Sequence, residues 1–137
     1  MNALFHAHSG LRYLVLLVGI VAALVFLYGL VTRRPVAAAR GLMAAFTGLL
    51  DLQILLGVAL VIGGVFYGAL MGHIVMMVLA AVAAHGSSIM ARRTTDERRA
   101  LTMRLIGVVA TLVLIAVGIT AIGRGVFGSA PMSLPGR

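Results

Sequence analysis

Four long apolar runs divide the chain, and each ends at arginine, glycine or proline. The first extends from about Leu11 to Val31 and stops at Thr32, Arg33, Arg34 and Pro35, because proline cannot continue the backbone ladder and arginine resists hydrocarbon. The second extends from about Gly41 to Ile62 and is punctuated by Gly63 and Gly64. A short uncharged turn with Phe66 and Tyr67 leads to the third, from about Ala69 to Met90. A polar loop from Arg92 to Arg99 follows, in which Thr95 or Asp96 is placed to N-cap the next helix. The fourth run extends from about Leu105 to Ile122, and the tail 124–137, with glycine, serine and two prolines, is expected to be irregular and to lie on the surface. A bilayer-crossing helix needs roughly 20 apolar residues. The pattern therefore predicts an all-α fold, an integral membrane four-helix bundle forming a single membrane domain over residues 1–137.

Composition agrees. Of 137 residues 62% are hydrophobic and 10% charged, and mean hydropathy is +1.16, whereas a soluble domain carries about a quarter charged residues. The formal net charge is +8, and all eleven basic residues are arginine. They sit between the apolar runs, where topology signals belong, and show none of the aromatic interleaving of a nucleic-acid surface. Arg33, Arg34 and Arg40 follow the first run; Arg92, Arg93, Arg98, Arg99 and Arg104 follow the third; the opposite side holds only Arg12, Arg124 and Arg137. The arginine-rich side is expected to be cytoplasmic and both termini to lie on the other side. Cysteine is absent, which removes disulfides, thiolate metal sites and covalent c-type haem attachment. The N-terminus lacks the basic region and cleavage site of a signal peptide. Small residues within the runs (Gly19, Gly48, Gly57, Ala80, Ala81, Ala83, Ala84, Gly107, Gly118) are expected to let helices approach closely. No internal repeat stands out.

Polar groups at membrane depth are costly, so each needs a reason. His8 and His73 fall at similar depth on the side of the termini. Neighbouring helix axes lie roughly 8–10 Å apart and diagonal ones roughly 13 Å, so two inward imidazoles can share one iron across the diagonal. Neutral imidazole is the usual axial ligand of haem b. Arg12, one turn after His8, is placed to meet a propionate. The alternative is that His8 is a wet terminal residue and His73 an interfacial one. His6 faces away from His8. His85 lies twelve residues after His73, a rotation of about 120°, and is a weaker ligand candidate, expected instead to face the headgroups. Asp51, near the middle of the second run, is a candidate for proton relay, cation site or quinone contact; the alternative is a neutral acid bonded to another helix, with Thr47 as a local partner. Gln53 points to another face as an interhelical hydrogen bonder. Nucleophile–base pairs, phosphate-binding glycine loops and carboxylate clusters are missing, so no independent catalytic activity is expected.

Three stretches carry a resemblance: His8-Ser9-Gly10-Leu11-Arg12-Tyr13, Asp51-Leu52-Gln53-Ile54-Leu55-Leu56-Gly57, and Gly72-His73-Ile74-Val75-Met76-Met77. Together, in order and spacing over most of the chain, they resemble a group of small four-helix bacterial membrane proteins labelled cytochrome b-like. The resemblance matches His8 and His73 to that pattern's histidines. It departs at Asp51, where the pattern has histidine, and at Gly72, where it has glutamate, which argues against a second haem near Asp51. The implied function is electron transfer through one haem b, with a quinone or a larger redox complex as partner. Two alternatives stay open: a cofactor-free accessory subunit of a respiratory or photosynthetic complex, and a small proton-coupled transporter using Asp51. Membrane lipid and other membrane subunits are the expected partners.

Overall fold

The computed structural model describes residues 1–127, and all regular structure among them is helical. α1 spans Asn2–Thr32, α2 Ala39–Ile62, α3 Leu70–Arg93 and α4 Glu97–Ala121. At about 1.5 Å per residue even the shortest is about 36 Å long, against a hydrocarbon core of about 30 Å. Each of the four is long and apolar enough to cross a bilayer. α1 begins well before its apolar run, so His6, His8 and Arg12 all lie on helix.

The helix ends follow from local chemistry. α1 stops where Arg33 takes a left-handed conformation (φ 55°), and the N–H groups of Arg33 and Arg34 both return to the Gly29 carbonyl. Between α2 and α3 the chain turns through Gly64 at φ 93°, a region that glycine enters without a Cβ penalty. α4 starts on Asp96, whose Oδ1 accepts from the backbone N–H groups of Arg98 (2.9 Å) and Arg99 (3.2 Å). Of the two capping candidates it is therefore Asp96 that caps. Residues 124–127 are non-helical; the rest of the expected irregular tail, through Arg137, lies outside the described residues.

α1 packs beside α2 and α4, α3 packs intimately on α4, and α2 touches α3 only lightly, which leaves α1 and α3 on the diagonal. Phe26, Met43, Phe46, Leu50, Val15 and Val108 fill the centre. Glycines set the closest approaches. A Cβ on Gly19 would fall 2.7 Å from the Phe46 ring and from Leu112, and one on Gly107 would overlap the Ser87 side chain. Gly48 departs from expectation: it is exposed, and a Cβ there would meet nothing. Thr111 donates to the Gly107 carbonyl within its own helix at 2.7 Å. Thr47 likewise donates to the Met43 carbonyl (3.0 Å), so it satisfies its own helix and does not serve Asp51 as expected.

The surface is inverted relative to a water-soluble bundle. Leu17, Leu24, Leu55, Val82 and Ile106 are each more than half exposed, while Arg12, Thr47, Gln53, Ser88, Arg104 and Thr111 are buried. Replacing Gly107 by valine is expected to push α3 off α4 and cost about 1–3 kcal/mol. The check is thermal unfolding in detergent, where Gly107→Val unfolds at lower temperature and Gly48→Val unfolds with the wild type.

Candidate functional site

Because α2 and α3 diverge, a cavity of about 510 Å³ opens between them toward the end of the bundle that carries the termini. All four helices contribute to its wall, which is apolar except for His8, Ser9, Arg12, Gln53, Tyr67, His73 and Arg124. A volume of this size falls within the range of small-molecule and cofactor sites, roughly 300–1,000 Å³.

The two histidines are held in the same way. His8 on α1 places Nδ1 3.0 Å from the backbone carbonyl of Gln53 on α2. His73 on α3 places Nδ1 2.9 Å from the backbone carbonyl of Gly118 on α4. A carbonyl oxygen only accepts, so each Nδ1 carries the proton, and in the neutral ring Nε2 is left with its lone pair. This is the arrangement that orients metal-bound imidazoles, with the second nitrogen tied to a carbonyl. The two bonds also share a sequence offset of 45 residues. The α1–α2 and α3–α4 hairpins thus treat their histidines alike, although their sequences show no repeat.

Glycine makes room for both rings. A Cβ on Gly57 would lie 3.1 Å from His8 Cε1, and one on Gly118 would lie 3.4 Å from His73 Nδ1 and 2.8 Å from Met77 Cε. Gln53 closes the His8 side: its Nε2 donates to the His8 backbone carbonyl at 2.8 Å and stands 3.4 Å from His8 Nε2. The second contact is long and weak, so a stronger Lewis acid can take the Nε2 lone pair. Gln53 Oε1 is buried without a hydrogen bond among the described residues. The interhelical role expected of Gln53 is therefore observed, with His8 as its partner.

Arg12 lines the cavity beside His8, buried, with Nη2 donating to the Tyr13 hydroxyl at 2.8 Å. Arg124 lies over the Phe5 ring at 5.0 Å and lines the same cavity. Sequence reasoning did not single out Arg124; it stands just after the fourth run, and only the fold brings it back to α1. His6 is exposed and stacks edge-on against Phe5, away from the site.

Asp51 and His85 form a separate pair. His85 Nε2 lies 2.7 Å from Asp51 Oδ1, with both side chains about half exposed (45% and 49%). His85 stands one turn beyond Ala81, which lines the cavity, so the pair sits on the α2–α3 seam below it. The structure brings together His8, His73 and Arg12 and leaves Asp51 and His85 outside. Among the described residues no three histidine, cysteine, aspartate or glutamate side chains converge as a metal site; the cavity offers two imidazoles.

Selective ¹⁵N-histidine spectra of cofactor-free protein at mildly alkaline pH are expected to show His8 and His73 as neutral Nδ1–H tautomers. An Nε2–H pattern for either ring would contradict the carbonyl contacts. No protein-family model, no curated protein and no solved structure matches the chain.

Proposed function

We propose that the protein is a small integral membrane cytochrome of the b type, binding one haem between His8 and His73 and exchanging electrons with a quinone or a larger redox complex. The observation that supports it best is the pair of histidines on diagonal helices that line one cavity, each with Nδ1 engaged by a backbone carbonyl. The residues suit the group. The walls are apolar, the two Nε2 atoms have lone pairs to give, and Arg12 and Arg124 supply positive charge for two propionates. Bound haem would supply a one-electron redox centre. The chain's own part is to present both imidazoles in one tautomer, to exclude water with the apolar wall, and to hold the two guanidinium groups at the rim. The thin α2–α3 contact gives a lipid-soluble partner a lateral approach.

This reading has the bundle in a bacterial inner membrane, as the resemblance implies, with both termini on the non-cytoplasmic side, an orientation supported by the arginine-rich connections that share the opposite end. The chain has no cysteine, so single reporters are clean. In intact spheroplasts Phe66→Cys is expected to react with a membrane-impermeant maleimide and Thr95→Cys to be protected until the membrane is opened. The reverse pattern would invert the topology.

Purified protein is expected to show a Soret band that is lost in His8→Ala and in His73→Ala and retained in His85→Ala. Well-expressed, monodisperse protein without haem absorbance, even after incubation with haem, would end this reading. A second reading is favoured by the Asp51–His85 contact: a proton-coupled transporter in which this pair exchanges the proton. There Asp51→Asn abolishes transport and leaves insertion intact; under the cytochrome reading the same substitution leaves the Soret band in place.

A further inference from the structure

The opposite end of the bundle holds a larger and chemically different cavity, of about 1080 Å³. Its wall collects Arg33 and Arg34 from the end of α1, Arg40 from α2, Arg92 from α3, and Arg98 and Arg104 from α4. Glu97 is the one acidic residue in that wall. Among the described residues none of these six arginines forms an ion pair. Asp96, the nearest other acid in sequence, spends Oδ1 on capping α4. Topology signals alone need arginines in the connections. They do not need them gathered round a shared hollow.

Arg104 makes the cavity a site. It is only 6% exposed, and among the described residues its guanidinium has neither a hydrogen-bond partner nor a counter-ion. Arg40 and Arg92 lie within electrostatic range and repel it. A guanidinium that opens onto the cavity with its five donors unpaired among the described residues and arginines beside it is completed by an anion. Arginine's planar fork matches the oxygens of a phosphate. A cavity holding five positive charges in excess suits a ligand with more than one such group.

We propose that this cavity is a binding site for a polyanionic phosphate ligand, with Arg104 at its floor and Arg40 and Arg92 as flanking contacts. The same chemistry is offered by the headgroup of an anionic phospholipid with two phosphates and by a soluble diphosphate. A basic hollow between helices at the membrane surface is the usual setting for the first. The site is separate from the histidine cavity and does not depend on haem binding.

Delipidated protein in a neutral detergent tests it, with binding read by native mass spectrometry and by thermal unfolding. The probes are diphosphatidylglycerol, phosphatidylcholine and inorganic pyrophosphate. Wild type is expected to bind diphosphatidylglycerol saturably and to unfold at higher temperature with it, and to be indifferent to phosphatidylcholine. Arg104→Met is expected to bind about ten- to a hundredfold more weakly and to unfold no lower than wild type without lipid, since the uncompensated charge is gone. Arg99→Gln, the same charge change outside the cavity wall, is expected to leave affinity unchanged. Should Arg104→Met fail to fold, the exposed Arg40→Gln serves the same comparison. Preference for pyrophosphate over the lipid would assign a soluble ligand to the same site. Equal losses in Arg99→Gln and the cavity variants, or no binding of either phosphate probe, would overturn the proposal.

Discussion

A bundle that turns its apolar side chains outward has to satisfy its polar ones from within. Leu17, Leu24, Leu55 and Val82 face out, so a hydroxyl, amide or imidazole inside can rely only on the backbone or on another helix. The hydroxyls of Thr47 and Thr111 turn to carbonyls of their own helix, a local solution open to short side chains. Histidine and glutamine are too long for that and reach across. His8 and Gln53 satisfy each other's backbone, and His73 finds the carbonyl of Gly118. The tautomer of both imidazoles follows from this one constraint, and with it the availability of Nε2.

That crossing demands close helices, which glycine provides. Gly57 and Gly118 lie against the His8 and His73 rings, and Gly19 and Gly107 bring the helices of each contact near enough for their side chains to interlock. The α2–α3 contact is light, and it is there that the cavity opens. Small residues thus serve the packing and, at Gly57 and Gly118, the histidine rings as well. The equal 45-residue offset of the two histidine contacts shows the same solution reached in both hairpins, with the Gln53 carbonyl in one and the Gly118 carbonyl in the other.

Much of this was legible in the sequence. Four apolar runs gave four helices because length and hydropathy leave few alternatives at this scale. A cap at Thr95 or Asp96, the interhelical role of Gln53 and the grouping of His8, His73 and Arg12 at one end follow from residue type and helical spacing; which of the two residues caps came from the fold. What escaped depends on contacts remote in sequence. Asp51 was paired with Thr47 by proximity along the chain, yet Thr47 is satisfied by Met43 and the carboxyl meets His85 from α3. Gly48 was grouped with the packing glycines on type alone and faces outward. Arg124 reaches the cavity only because α4 ends beside the start of α1.

The Asp51–His85 contact differs in kind from the two histidine contacts of the cavity. Its histidine is engaged through Nε2 with a carboxylate oxygen at 2.7 Å, whereas His8 and His73 are engaged through Nδ1 with neutral carbonyls. An imidazole bonded through Nε2 has only the more crowded Nδ1, next to its own Cβ, to offer an iron. Aspartate at position 51 thus does two things at once. It puts a carboxyl where the resembled pattern has histidine, and it occupies Nε2 of His85. What remains on the seam is a hydrogen-bonded carboxyl–imidazole pair, one turn below the histidine cavity. The histidine cavity and the Asp51–His85 pair then fall at different depths of the same light α2–α3 contact, with the arginine-lined hollow at the far end separate from both.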